Sequence, residues 1–174
     1  MKNLFLIGLA IVLFTACENN VKQRYTQQSP EIETAKANIA DYDNKNWESM
    51  ISHYADTAKI YYNSMEPLSP EGVIEYHKAN DVNYTSRGFE LKGQEYEMVL
   101  TDDGETWVNF WGNWKCTLAA NNKEYKIPIH LTSQYVNGKV VKEYGYWDNS
   151  EVILALQEIT AANMMTDTIT TIEE

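Results

Sequence analysis

Apolar residues recur at helical spacing in three segments in the first half of the chain. A Ser-Pro-Glu sequence at 29–31 supplies a capping serine, a first-turn proline and an acidic residue before an apolar stripe that reaches Ile39. A second short helix is predicted after Asn46, and a third after the Ser-Pro-Glu sequence at 69–71. Between these two helices, residues 58–63 have the composition of a strand.

Farther along the chain the apolar period changes from helical to alternating, which is typical of strands. The alternating segments cover 89–101, 105–119, 123–136 and 139–147, and turn residues separate them. Asn137-Gly138 predicts a tight β-hairpin between the last two, because both residues tolerate a positive φ. Helices followed by an antiparallel sheet predict an α+β domain.

Neither end of the chain has the pattern of a packed domain. Residues 1–16 combine one lysine with an apolar run that ends in small residues before Cys17, which predicts a bacterial lipoprotein signal peptide and a lipid on Cys17. An ordinary cleaved signal before an incidental cysteine is the alternative. Residues 17–29 predict a flexible tether, 30–158 the folded domain, and 159–174 a disordered acidic tail. The protein would then be lipid-anchored to a membrane in the cell envelope, on its periplasmic or surface side.

The charge balance and the motifs limit the classes of partner. The chain has 25 Asp and Glu residues against 14 Lys and Arg, a formal net charge of −11, which argues against nucleic acid. Its three histidines lie far apart, and it has no glycine-rich phosphate loop or paired-cysteine motif, so we expect no metal and no cofactor. Five Trp and twelve Tyr are typical of either a large core or a cavity for an apolar or aromatic ligand.

Two stretches resemble a known family. ANIADYDNKNWESMISHYADTAKIYYNSMEPLSPEGVIEYH at 37–77 and NGKVVKEYGYWD at 137–148 are similar to the nuclear-transport-factor-2-like superfamily, which includes SnoaL-like polyketide cyclases and ketosteroid isomerases. The resemblance covers roughly residues 30–157. It implies a cone: a curved antiparallel sheet wrapped around three N-terminal helices, with a deep, largely apolar cavity and frequent dimerisation through the outer sheet face. This fold hosts both enzymes and binding proteins, so the resemblance does not choose a function.

His130 and Glu143 are the candidate catalytic residues, and two arguments place His130 differently. Alternation alone puts residues 127, 129 and 131 in the core and His130 toward solvent. The resemblance implies the opposite: His130 lies in the pocket with Glu143, as the acid–base pair of SnoaL-like cyclases does. Steroid isomerisation itself is not supported, because the positions of the family's catalytic base and oxyanion tyrosine match Tyr62 and Asn38.

The other candidate pocket residues are aromatic or amide side chains. Strict alternation in TWVNFWGNWKC puts Trp107, Asn109 and Trp111 on one face, and Trp beside Asn suits a cavity that stacks a ring and hydrogen-bonds its substituents. A bulge at Gly112 would shift this register, so the choice of inward face stays open. The predicted pocket set is Tyr42, Trp47, Tyr62, Trp107, Asn109, Trp111 and Trp147.

Three functions fit these features. The first is an envelope-tethered protein that binds a small apolar or aromatic molecule without turnover. The second is a cofactor-independent lyase, isomerase or cyclase in which Glu143 and His130 move a proton next to a carbonyl. The third is a protein-interaction adaptor with a vestigial cavity. A Glu143–His130 contact in an open cavity would favour the second function, and a filled cone the third.

Overall fold

The structure is a computed structural model that describes residues 24–172, with side chains as far as Met165. In chain order its elements are β1 (Tyr25–Thr26), α1 (Pro30–Asn44), α2 (Trp47–Ser52), β2 (Tyr54–Tyr62), α3 (Pro70–Asp81), β3 (Tyr84–Phe89), β4 (Glu95–Leu100), β5 (Thr106–Leu118), β6 (Glu124–Val136), β7 (Lys139–Trp147) and α4 (Ser150–Ile172). The predicted α+β class and the three N-terminal helices are confirmed.

The two Ser-Pro-Glu sequences start helices in the predicted way. Ser29 Oγ accepts a hydrogen bond from the Ile32 amide at 3.2 Å, and Ser69 Oγ accepts one from the Gly72 amide at 3.1 Å. Helix α2 follows Asn46, as predicted, although the Asn46 side chain makes no capping bond. All three N-terminal helices therefore begin where the local chemistry indicates.

The sheet has the order β1-β4-β5-β6-β7-β2, and β3 lies beside β5. Every pair is antiparallel except β2–β7, which is parallel, so the sheet is mixed and the prediction of a purely antiparallel sheet is wrong in this one pair. The predicted strand 89–101 is mainly β4, which begins at Glu95. Phe89 ends β3, a strand that was not predicted, and β3 and β4 pair with different parts of the long β5. Gly93, at φ +86°, lies in the polar turn between them.

The concave face of the sheet packs on the helices and carries the core. On β5 this inward face contains Val108, Phe110, Trp114, Cys116 and Leu118, all of them buried. On β6 it contains residues 125, 127, 129, 131, 133 and 135. The inward face of β6 is therefore the one that the alternation of apolar residues predicted, with residues 127, 129 and 131.

A bulge in the β6–β7 hairpin decides which faces meet. Tyr135 pairs with Val140, but the next pair is Gln134 with Lys142, so Val141 is an extra residue on β7. If the first register continued unbroken, His130 would lie opposite Gly145, on the inward face. The bulge instead places it opposite Tyr146, on the convex face.

The ends of the domain differ from the sequence prediction. Tyr25–Thr26, in the predicted tether, pair with Val99 and Met98 at the sheet edge. Helix α4 continues to Ile172, where a disordered tail from 159 was predicted, because no Gly or Pro follows Gly145 to stop it. The predicted signal peptide and Cys17 lie outside the described residues, within which no helix is long and apolar enough to cross a membrane.

Candidate functional site

A cavity of about 120 Å³ lies between the concave face of the sheet and the helices. It is of the order of the roughly 150 Å³ space that accommodates one benzene ring. Its wall is mostly apolar and aromatic, with a few polar groups. The residues that line it are Asn38, Ile39, Tyr42, Met50, Tyr54, Tyr62, Tyr76, His77, Asn80, Asp81, Tyr84, Phe89, Trp114, Ile127, Ile129, Leu131, Glu143, Trp147, Asn149 and Val152. An open, largely apolar cavity with few polar groups is the usual form of a small-molecule site.

Glu143, on β7, is the central polar group of this cavity and is only 2% exposed. Its Oε1 accepts hydrogen bonds from the hydroxyls of Tyr62 at 3.0 Å and Tyr54 at 3.2 Å. Its Oε2 accepts one from the Ser133 hydroxyl at 2.7 Å. Ser133 is directly opposite Glu143 in the β6–β7 pair, and Ile60, between the two tyrosines on β2, pairs with Glu143 on the other side. The two strands that flank β7, β2 and β6, thus direct three hydroxyl donors at one carboxylate.

In the described part of the chain, no basic side chain balances this carboxylate. Among the described residues, no Lys, Arg or His nitrogen forms an ion pair with Glu143. Burial raises the pKa of Glu143, and the hydrogen bonds from Ser133, Tyr62 and Tyr54 offset only part of that rise. Burial and the nearby carboxylate raise the pKa of both tyrosines well above 10, which keeps them as donors.

Asn38, on α1, extends the network and leaves one acceptor unpaired. Its Nδ2 donates to the Tyr54 hydroxyl at 2.9 Å. Because Tyr54 uses its only proton on Glu143, its oxygen must accept, which fixes the orientation of the Asn38 amide. The Asn38 Oδ1 is buried without a hydrogen-bond partner among the described residues, in a side chain that is 7% exposed. Such a group is destabilising unless a ligand or water pairs with it.

Three aromatic rings pack around the ring of Tyr62. The ring centroid of Trp147 lies 5.3 Å from that of Tyr62, that of Tyr76 lies 5.8 Å away, and that of His77 lies 5.9 Å away. Burial, with the nearby charge of Arg87, lowers the pKa of His77 to about 3, so its imidazole is neutral at physiological pH. The cavity wall therefore contributes ring faces and edges without a positive charge.

A charged cluster of Arg87 and Asp81 adjoins the cavity, whose wall includes Asp81 and Tyr42. The Arg87 side chain is 2% exposed, and its Nε donates to Asp81 Oδ1 at 2.7 Å. Its guanidinium also lies 4.0 Å from the centroid of the Tyr42 ring and donates to the Tyr42 carbonyl. Burial raises the pKa of Asp81, but the hydrogen bonds and charges of Arg87 and Lys45 outweigh it and hold that pKa below its usual range.

The structure brings together four of the predicted site residues: Tyr42, Tyr62, Glu143 and Trp147 line the cavity. Trp47 does not line it but packs behind the wall, with its ring stacked on His77 at 6.1 Å between centroids. Sequence reasoning missed Tyr54 and Ser133. Alternation along β2 is a signal that could have found Tyr54, since Tyr54, Ala58, Ile60 and Tyr62 share the inward face.

His130 does not meet Glu143, and its predicted place in the pocket is wrong. It lies on the convex face, where its ring stacks on Trp111 at 4.9 Å between centroids and its Nδ1 is 3.2 Å from the Phe110 carbonyl oxygen. Glu143 faces the cavity on the other side of the sheet. The one-residue bulge at Val141 is the physical reason. An acid–base pair of these two residues is therefore excluded.

Trp107, Asn109 and Trp111 are also on the convex face, so their predicted place in the cavity is wrong. Gly112 does not shift the register, because β5 pairs without a break with both β4 and β6. Instead the Phe110 ring folds over Gly112, where a Cβ would lie 2.4 Å from Phe110 Cζ. The convex face carries a row of stacked rings, and the homodimer expected through this face remains a prediction.

Comparison with known proteins identifies the fold. A proposed polyketide cyclase from Xanthomonas campestris pv. campestris matches with a TM-score of 0.61 and 11% identity, over 74% of this chain and 98% of that one. IdmH, a proposed polyketide cyclase from Streptomyces antibioticus, matches with a TM-score of 0.60 and 14% identity, over 75% and 99%. An NTF2-like protein from Burkholderia pseudomallei K96243 matches with a TM-score of 0.59 and 11% identity, over 72% and 96%.

The chain therefore has the nuclear-transport-factor-2-like fold, as the sequence resemblance implied. No protein-family model matches the sequence, and no curated protein is similar to it in sequence. At these identities the likeness establishes the fold alone, and the function must be argued from the site.

Gly145 keeps space for the two rings beside Glu143, and replacing it should be destabilising. A Cβ at this position would lie 2.6 Å from the Trp147 ring and 2.9 Å from the Tyr62 ring. We expect Gly145→Ala to lower the free energy of unfolding by about 1–3 kcal/mol, because overpacking forces both rings to move. Gly72→Ala is the matched control, since its Cβ would have only ordinary contacts from 3.6 Å, and a helical alanine is favourable. Urea unfolding of both variants measures the difference; equal stabilities would contradict the expectation.

Proposed function

We propose that this protein binds a small, mostly apolar molecule of about one-ring size in the cone cavity, with Glu143 as the polar anchor. The observation that supports this proposal is a buried carboxyl group, held by three hydroxyls, in the wall of an open and mostly apolar cavity. Folding does not require a buried carboxyl group, because its burial disfavours the ionised form and adds nothing to apolar packing. Its presence in the wall supports a role in ligand recognition.

The alternatives have weaker support. A catalytic pair of Glu143 and His130 is not possible, because His130 lies on the other side of the sheet. An adaptor with a vestigial pocket predicts a filled cone, whereas this cavity is open. A raised pKa does favour Glu143 as a proton acceptor on its own. A base without a second proton-transferring group does not define a reaction, so binding is the function that the site supports best.

Benzyl alcohol is a suitable first probe, because it combines one ring with one hydroxyl. Isothermal titration calorimetry should show saturable binding at one site per chain.

Trp114→Phe retains an aromatic ring but lacks the indole N–H that donates to Tyr42, and it should weaken binding only slightly. Gly145→Ala should weaken binding strongly, because its Cβ moves the rings of the wall. The matched control is Trp111→Ala on the convex face, which should bind as wild type does. Loss of binding in the Trp111 variant with retention in the Gly145 variant would move the site to the convex face.

We further propose that the domain is tethered to the cell envelope by lipid on Cys17. The support is the sequence Phe14-Thr15-Ala16-Cys17 at the end of an apolar segment. Mass spectrometry of the protein from a bacterial membrane fraction should find an acylated N-terminal Cys17. Cys17→Ala should release the protein from the membrane fraction. An intact residue 1–16 segment, or an unmodified Cys17 in wild type, would overturn the proposal.

A further inference from the structure

We propose that the ligand of the cone cavity is a small amine, bound as an ammonium cation whose countercharge is Glu143. This inference rests on the proposed function and narrows it to one chemical class. Three independent features of the cavity carry it: an unbalanced buried carboxylate, an unpaired acceptor on Asn38, and a wall of aromatic rings.

The charge of the cavity wall is incomplete on the positive side. Within the described residues Glu143 is hydrogen-bonded only by neutral hydroxyls, and His77, which lines the same cavity, is neutral. Arg87, a buried cation of the domain, is held by Asp81 at 2.7 Å and cannot serve Glu143 as well. A buried carboxylate is stable when it is paired with a cation, and the ammonium group of a ligand would supply that cation here.

The hydrogen-bonding capacity of the wall also requires donors. An ionised carboxylate has about four acceptor positions, of which the three hydroxyls use three. Asn38 Oδ1 is a further buried acceptor with no partner in the described part of the chain. A primary ammonium group has three N–H donors and no acceptor, so it can serve both residues. A ligand carboxylate or phosphate would instead place a second negative charge beside Glu143.

The rings of the wall suit the same class of ligand. Tyr54 and Tyr62 point their hydroxyls at Glu143, and Trp147 and Tyr76 pack around Tyr62. Ring faces attract a desolvated cation within about 6 Å of their centroids. The cavity, at about 120 Å³ in all, accepts an amine with a small alkyl or single-ring group. Small arylalkyl amines satisfy all three features.

Three ligands of similar size and different charge are compared: benzylamine, benzyl alcohol and benzoate. At pH 7 the first is a cation, the second neutral and the third an anion. Calorimetric titration of the full chain should give benzylamine an affinity at least about tenfold above that of benzyl alcohol, because charge-assisted hydrogen bonds are the stronger ones. Benzoate should show no binding.

Two variants test which groups discriminate. Glu143→Gln should lower the affinity for benzylamine at least about tenfold, because the variant has no countercharge, and should lower the affinity for benzyl alcohol much less, because the glutamine side-chain oxygen still accepts a hydrogen bond. Asn38→Leu, which removes the unpaired acceptor, should lower the preference for benzylamine severalfold. Circular dichroism melting of each variant checks that it folds, and if one does not, the comparison of the three ligands on wild type still decides.

The outcomes separate the two proposals. If benzyl alcohol binds and benzylamine binds no better, the ammonium inference fails and the small-molecule cavity stands. If none of the three ligands binds, the proposed function fails and the inference with it. If benzylamine is preferred equally by wild type and Glu143→Gln, the protein's general negative charge attracts it and Glu143 is not the countercharge.

Discussion

Replacing Asp81 with alanine is expected to lower the free energy of unfolding by about 3 kcal/mol or more. The variant leaves the Arg87 guanidinium, 2% exposed, without the carboxylate that now accepts from it at 2.7 Å. The Tyr42 carbonyl and ring remain as partners, but neither carries a full negative charge. Removing one member of a buried ion pair is far more destabilising than replacing both members with apolar residues, because it leaves one buried charge unpaired. Chemical unfolding at pH 7 measures the loss of stability.

Two further variants show whether the unpaired charge is the cause. Asp102→Ala breaks the exposed Arg24–Asp102 pair, with side chains 56% and 87% exposed, and should leave stability unchanged within error. The double variant Asp81→Ala/Arg87→Met removes both charges and should recover a large part of the loss. If the double variant is as unstable as Asp81→Ala alone, lost packing rather than a stranded charge explains the effect.

The stability of wild type should fall as pH rises through the folded-state pKa of Glu143, and Glu143→Gln should lack this component. Burial raises this pKa above 4.5, so the native state holds the Glu143 proton more tightly than the unfolded state does. Stability from this group is therefore greatest below about pH 4.5, decreases as pH rises through the folded-state pKa, and stays at the lower value above it. Urea unfolding of both proteins from pH 4 to 8 measures the difference.

Ser133→Ala should strengthen the pH dependence that Glu143→Gln removes. The Ser133 hydroxyl donates to Glu143 Oε2 at 2.7 Å and lowers its pKa, so its removal should raise that pKa and enlarge the loss of stability at neutral pH. Burial also raises the pKa of Asp43, so Asp43 adds a loss of stability with rising pH. This loss is the same in every variant and cancels when their stabilities are compared. A Glu143→Gln variant that loses stability relative to wild type as pH rises would contradict the account.

Most of the fold follows from local sequence chemistry. The Ser-Pro-Glu sequences set the starts of α1 and α3, and alternation located β5, β6 and β7. The parallel β2–β7 pair was not predicted, because it joins segments about 80 residues apart and no local pattern encodes such a contact. Strand β3, Tyr84–Phe89, was not predicted, and the polar turn at Gly93 that separates it from β4 falls inside the predicted strand 89–101, where its neighbours only weakly suggest a break.

The sequence predicted only part of the candidate site, and the extra residue Val141 explains why His130 was misplaced. Glu143 and Trp147 were placed inward by the family resemblance, and the apolar face of β6 was placed inward by alternation. These two placements agree only if the hairpin contains a bulge, since an unbroken register puts His130 on the face of Glu143. Val141 supplies the extra residue, and a β-branched residue in a strand gives no sequence signal for a bulge.

The convex face shows why aromatic content alone does not locate a cavity. Both faces of β5 carry tryptophans: Trp114 packs inward, while Trp107 and Trp111 stack with rings of neighbouring strands outside. Cross-strand stacking stabilises a sheet without any ligand. The inward face could only be chosen from the pairing of β5 with β6, which strand composition does not reveal.

Methyl chemical-shift mapping by NMR tests most directly the claim that the concave cavity is the binding site. Full-length protein with labelled Ile, Leu and Val methyls would be titrated with benzyl alcohol and then with benzylamine. The account predicts saturable shifts at the cavity methyls of Ile129, Leu131 and Val152, and none at Val136, which is exposed at the hairpin end. Shifts confined to Val136 or to the indole signals of Trp107 and Trp111, with the cavity methyls unmoved, would contradict it.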